Sequence, residues 1–195
     1  GSAVFCDSTS SKVIIESSYF NNNVCSQGTI ACYSSSISIA LCSFGNNLAR
    51  ASGGAILIDS LDEAERCRIE GCYFVGNSTV TDDPYHYSGT GGSIDCDAID
   101  IIHSVFINNS AVKGGAISSY GGVRIINCLM ENNKAAMGGA IYCGTWYYEY
   151  CDISLSTFVG NASNSPGGAI YIVQSLSPIT VTNCIFRNNY PSQIE

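Results

Sequence analysis

The groups in this chain able to do chemistry are eleven cysteines, two histidines, sixteen carboxylates and two clusters of aromatic side chains. Cysteine thiolates can attack or bind metal, but no CxxC spacing occurs. Neither His86 nor His103 has a Cys or Ser at a spacing that suggests a nucleophile and its base. Asp95, Asp97 and Asp100 flank Cys96 and Ile99, so on strands with those two inward the carboxylates project outward near one another. There they form either a set of oxygen ligands for Ca²⁺ or a solvated corner. The aromatics lie in "GTWYYEY" (144–150), which holds the only Trp, and in "DDPYHY" (82–87). Trp146, Tyr147, Tyr148 and Tyr150 offer large, rigid, amphipathic area to a glycan or protein ligand, with Tyr85, His86 and Tyr87 as a second patch. The alternative for both is a loop whose rings fold back over the body of the protein. None of this chemistry calls for a cofactor or a metal.

What must position these residues is a repeat. "FINNSAVKGGAI" (106–117) returns as "MENNKAAMGGAI" (130–141), 24 positions later. Positions equivalent to Phe106 fall at Phe20, Phe44, Phe74, Met130, Phe158 and Phe186. Three residues after each stands an asparagine: Asn23, Asn47, Asn77, Asn109, Asn133, Asn161, Asn189. Each is preceded by Asn or Gly, the types that tolerate positive φ, so this is a turn whose asparagine amides stack from coil to coil as a ladder. Five before each phenylalanine comes Ile15, Ile39, Ile69, Ile101, Ile125, Ile153 or Val181; seven before, Val13, Ile37, Cys67, Ile99, Val123, Cys151 or Ile179. That two-residue alternation is a strand with one buried face. Two before the phenylalanine the chain accepts only Ser or Cys (Ser18, Cys42, Cys72, Ser104, Cys128, Ser156, Cys184), and the step of three to this slot bends one strand into two. "GGAI" and its variants supply a third strand, whose paired glycines let backbones approach at a corner.

Three short strands per coil, each repeating its inward residue type, with no 3.6 periodicity, specify an all-β right-handed single-stranded parallel β-helix of about seven coils. Handedness follows from the bias of parallel β connections. At about 4.8 Å per coil the rod is roughly 30 Å long. Six residues before the phenylalanine the outward column reads Arg68, Asp100, Arg124, Asp152 on successive coils, an alternating ladder of charge. Ile102, Val105, Ile107, Ile126 and Leu129 form an outward apolar patch, to be covered by a partner chain or by the 78–90 insertion. The chain reads as one domain, 1–195, cut from a longer repeat protein: its first residues already match the glycine strand, and "YPSQIE" follows the last turn directly.

All eleven cysteines fall in repeat columns, ten at inward strand positions, so each has a packing reason to be there. An odd number cannot pair completely. Neighbouring coils bring Cys6 near Cys32 and Cys42 near Cys72, and Cys143 and Cys151, which bracket the aromatic insertion, are the best disulfide candidate. Of three sequons, those at Asn77 and Asn161 use ladder asparagines and are blocked, which leaves Asn108. A net charge of -8 with no basic cluster excludes nucleic acid as a partner, and no apolar run is long enough for membrane insertion.

The alternation of "GGAI" with "FxxN" resembles the passenger repeats of chlamydial polymorphic outer membrane proteins, and is similar to β-helix repeats in surface proteins of other microbes. The resemblance implies a secreted or cell-surface module, structural and adhesive, with a host-cell or glycan receptor as partner. Sister chains, packed end to end or laterally, are the other partner. The chain departs from that family in its number of cysteines. The competing reading is a polysaccharide lyase or hydrolase acting on an acidic glycan in a groove of the β-helix, which needs clustered carboxylates or a cation on one face. An ice-binding rod would want a flat outward array of Thr, and the outward columns are mixed.

Overall fold

The computed structural model describes residues 1–7, 12–33, 36–59, 67–80, 89–144, 150–173 and 178–191. Three parallel sheets of seven strands each wind into a right-handed β-helix. The first sheet holds the glycine strands: Val4–Asp7, Ile30–Tyr33, Ile56–Asp59, Ile94–Cys96, Ile117–Ser119, Ile141–Cys143 and Ile170–Ile172. Val13–Glu16, Ile37–Ala40, Cys67–Glu70, Ile99–Ile102, Val123–Ile126, Cys151–Ser154 and Ile179–Thr182 form the second. Tyr19–Asn21, Ser43–Gly45, Tyr73–Val75, Val105–Ile107, Leu129–Glu131, Thr157–Val159 and Ile185–Arg187 form the third. Register follows the repeat: Phe74 pairs with Phe44 and Phe106, and Ile101 with Ile69 and Ile125. Among the described residues no helix is long and apolar enough to cross a membrane.

The core is the stack of inward columns. Phe44, Phe74 and Phe106 are fully buried, with ring centroids 4.8 and 4.7 Å apart and planes within 2°. That spacing is the coil rise itself, so each phenylalanine meets the next at van der Waals distance without any rotamer change. Met130 takes one place in the column between Phe106 and Phe158.

Two ladders of side chains close the turns. Every residue preceding a ladder asparagine has positive φ, from Asn22 (57°) to Asn188 (56°). Within the ladder, the Nδ2 of Asn109 donates to Asn133 Oδ1 at 2.9 Å and to the carbonyl of Phe74 at 3.0 Å, while its Oδ1 accepts from the Asn77 backbone N–H at 2.9 Å. The same pattern runs from Asn23 to Asn189. A second ladder occupies the Ser/Cys slot at the corner between the second and third sheets. The Cys72 N–H donates to Ser104 Oγ (3.1 Å), Ser104 N–H to Cys128 Sγ (3.5 Å) and Cys128 N–H to Ser156 Oγ (3.1 Å). Each hydroxyl or thiol passes its own proton to the carbonyl two residues earlier, as Ser104 does to Ile102 at 2.9 Å. Cysteine therefore stands here as a larger serine. Burial pushes the thiols of Cys72 and Cys128 up to about 11.

At the glycine corner, Gly114 has φ +63°. A Cβ on Gly115 would be driven into the carbonyl oxygen of Gly139 on the next coil. Only glycine permits that approach.

Three sequence expectations need correction. A fourth strand of two residues follows the ladder asparagine in several coils, as at Val24–Cys25, Leu48–Ala49 and Ser78–Thr79, because the turn leaves the chain parallel to its neighbours for two more hydrogen bonds. Asp95 does not project into solvent: it is buried, with Thr90 Oγ1 donating to its Oδ2 at 2.8 Å. Ser52, Thr90, Lys113 and Met137, bridged coil to coil just before the glycine pairs, run across the outer face of the first sheet and cover it. Among the described residues no group of three His, Cys, Asp or Glu is placed to hold a metal ion. In the charge ladder Arg124 reaches Asp100 at 3.4 Å, while Arg68 turns along its own strand to Glu70 at 2.9 Å. Two residues apart on one face of a strand, that pair needs no reach across coils. The Arg68–Glu70 pair is exposed enough to contribute little.

Candidate binding surface around the aromatic insertion

The insertion leaves the first sheet at Gly144 and returns at Tyr150, immediately before Cys151 opens the second sheet. Both limbs are fastened to the preceding coil. The Gly144 N–H donates to the Ser119 carbonyl at 2.8 Å, and the Val123 N–H to the Tyr150 carbonyl at 3.0 Å. The Arg124 guanidinium lies 5.8 Å from the centre of the Tyr150 ring, where the positive charge meets the negative π face while its other side pairs with Asp100.

Beneath the outgoing limb is an aromatic group absent from the sequence expectations. Tyr142 projects outward from the first sheet yet is nearly buried. Tyr171 stacks on it from the next coil with centroids 5.7 Å apart, Tyr120 leans on it at 6.0 Å, and Lys113 Nζ sits 5.2 Å from its ring centre. A Cβ on Gly144 would lie 3.1 Å from the Tyr142 ring and 3.3 Å from Tyr120, so glycine at the loop's root makes room for both rings. Burial, with Tyr171 beside it, raises the Tyr142 phenol above its ordinary range and keeps it protonated. The sequence signal was the residue following the "GGAI" isoleucine, Tyr in two successive copies.

Of the residues singled out for ligand contact, Tyr150 is half-buried at the returning limb. Trp146, Tyr147 and Tyr148 lie outside the described residues, as do Tyr85, His86 and Tyr87. Cys143 and Cys151, both fully buried, flank the base of the insertion on the inner side of the bend. The neighbouring Cys143 side chain first, then burial, drives the Cys151 thiol far up. Ile102, Val105, Ile107, Ile126 and Leu129 are all half-buried on the outer faces of the second and third sheets, and most of the insertion expected to cover them, 81–88, lies outside the described residues. His103 is exposed, with Nδ1 3.9 Å from Glu70, itself paired to Arg68.

The described part of the site thus holds stacked tyrosines with Lys113 over one ring and Arg124 over another. Comparison with known proteins agrees with the repeat. No curated protein and no solved structure matches the chain. A family model described as the Chlamydia polymorphic membrane protein repeat matches residues 103–120, 127–144 and 156–173, well under half of the chain. Each match takes in a strand of the third sheet, the ladder asparagine, the glycine corner and a strand of the first sheet; residues 145–149 fall in the interval after the second. At three successive coils the chain is thus similar to the repeat of the Chlamydia polymorphic membrane proteins.

Proposed function

We propose that the chain is a cell-surface or extracellular β-helix module, structural and adhesive rather than enzymatic, whose contact with a host-cell or glycan receptor centres on the 144–150 insertion. The observation that carries this reading is the insertion itself. It departs from the repeat, concentrates aromatics between two matches to the membrane-protein repeat, and stands on limbs already ordered by Ser119, Val123 and Arg124. Limbs ordered beforehand lower the entropy lost on binding. Family resemblance supports surface display; the fold alone supports no activity.

The test is the double substitution Trp146→Ala and Tyr148→Ala. Circular dichroism and melting of the rod are expected to stay as in the parent, while attachment to cells or to immobilised glycans weakens by at least tenfold. Parent-like attachment, or a rod that unfolds, defeats the proposal.

A further inference from the structure

At the corner between the first and second sheets, each coil places the last inward side chain of one sheet and the first inward side chain of the other on either side of the bend. Most coils fill at least one side with Val or Ile. Only the coil that bears the aromatic insertion has cysteine on both sides of the bend, Cys143 and Cys151, both fully buried and facing the same interior. Cys6 and Cys32 are register partners on neighbouring coils, with Cys6 only half-buried, while Cys42 and Cys72, which also meet, belong to the Ser/Cys ladder. There the Cys42 N–H donates to Cys72 Sγ at 3.4 Å and Cys42 Sγ to the Ala40 carbonyl at 3.2 Å. Joining those sulfurs would orphan backbone groups that the ladder satisfies.

We propose that Cys143 and Cys151 join in a disulfide that closes the aromatic insertion into a covalent loop. Formation is thiol–disulfide exchange with a low-molecular-weight disulfide such as oxidised glutathione. One thiolate attacks the oxidant, releasing one thiol and leaving a mixed disulfide; the second thiolate displaces the remaining half. The protein loses two protons and two electrons, and the oxidant leaves as two thiols. Both sulfurs are sealed from solvent in the finished rod, so the exchange belongs to folding, before this coil is covered by Ile170–Ile172 and Ile179–Thr182. Once formed, the bridge is shielded from reductant. It joins the two limbs directly below Gly144 and Tyr150 and does not depend on what the insertion binds.

The experiment is refolding with oxidised and reduced glutathione, followed by alkylation, digestion without reductant and mass spectrometry. A cross-linked peptide pair containing Cys143 and Cys151, two hydrogens lighter than the dithiol, is expected. It should resist dithiothreitol in the native state and yield to it in denaturant. The variant Cys143→Ser with Cys151→Val uses residues already found in those columns, at Ser119 and Val123, so it is expected to keep the rod's circular dichroism. Chymotrypsin should cleave it after Trp146, Tyr147 or Tyr148 at least tenfold faster than the oxidised parent. Alkylated thiols at both positions, or a bridge at Cys42–Cys72 instead, overturns the proposal. Equal cleavage rates for parent and variant overturn the closure of the loop.

Discussion

Replacing Asn109 by Ala isolates the worth of one rung in the asparagine ladder. The substitution removes the acceptor of the Asn77 backbone N–H (2.9 Å) and of Asn77 Nδ2 (3.2 Å), and the donor to Phe74 and Asn133. Asn77 is fully buried, so no water replaces the lost acceptor at its N–H. The buried Asn77 N–H left unpaired costs about 1–3 kcal/mol, and each of the other three lost hydrogen bonds about 1 kcal/mol net, which puts the total at about 4–6 kcal/mol. Asn23→Ala is the internal control. Its Nδ2 donates to Asn47 Oδ1 at 2.8 Å, but in the described rod no asparagine rung relies on Asn23 as acceptor, so about 1 kcal/mol is expected. Because a solenoid can open coil by coil, the assay pairs urea denaturation with hydrogen exchange at the Asn77 amide, which should speed by about two orders of magnitude or more in Asn109→Ala alone. Similar losses for the two variants, or an unprotected Asn77 amide in the parent, would refute the reasoning.

Asp95, buried and pushed up to about 6, binds its proton more tightly folded than unfolded, where an aspartate titrates near 3.9. Its contribution to stability is therefore present below about pH 4 and lost as pH rises to about 6. Urea melts across this range should show Asp95→Asn gaining on the parent with rising pH, by up to roughly 3 kcal/mol at pH 7, whereas a constant difference would place the carboxylate in water. Made in a compartment that adds N-linked glycans, the folded fraction should carry glycan only at Asn108, whose side chain is exposed, because Asn77 and Asn161 are fully buried in the ladder. Glycopeptide mapping of the folded and aggregated fractions checks this; a glycan on Asn77 in the folded rod contradicts the ladder.

The repeat alone determined the architecture, because stacking in register is a condition that each column imposes on itself. Phe44, Phe74 and Phe106 must tolerate their own kind at about 4.8 Å, and a column of one residue type announces that it does. The asparagine ladder, the positive φ before it and the glycine corner were legible for the same reason. What the sequence left open was everything that depends on a segment from elsewhere in the coil. Asp95 occupies an outward position by strand alternation, and only the fold shows Thr90 lying across it. The Ser/Cys slot announced its size but not its hydrogen bonds, since the acceptor of each N–H sits on the next coil. Tyr142, Tyr171, Tyr120 and Lys113 are scattered over the sequence and become one aromatic group at the root of the insertion only when three coils stack. Inward positions answer to their own copies, which recur in the sequence; outward positions answer to whichever chain segment crosses them, and that is settled by tertiary structure.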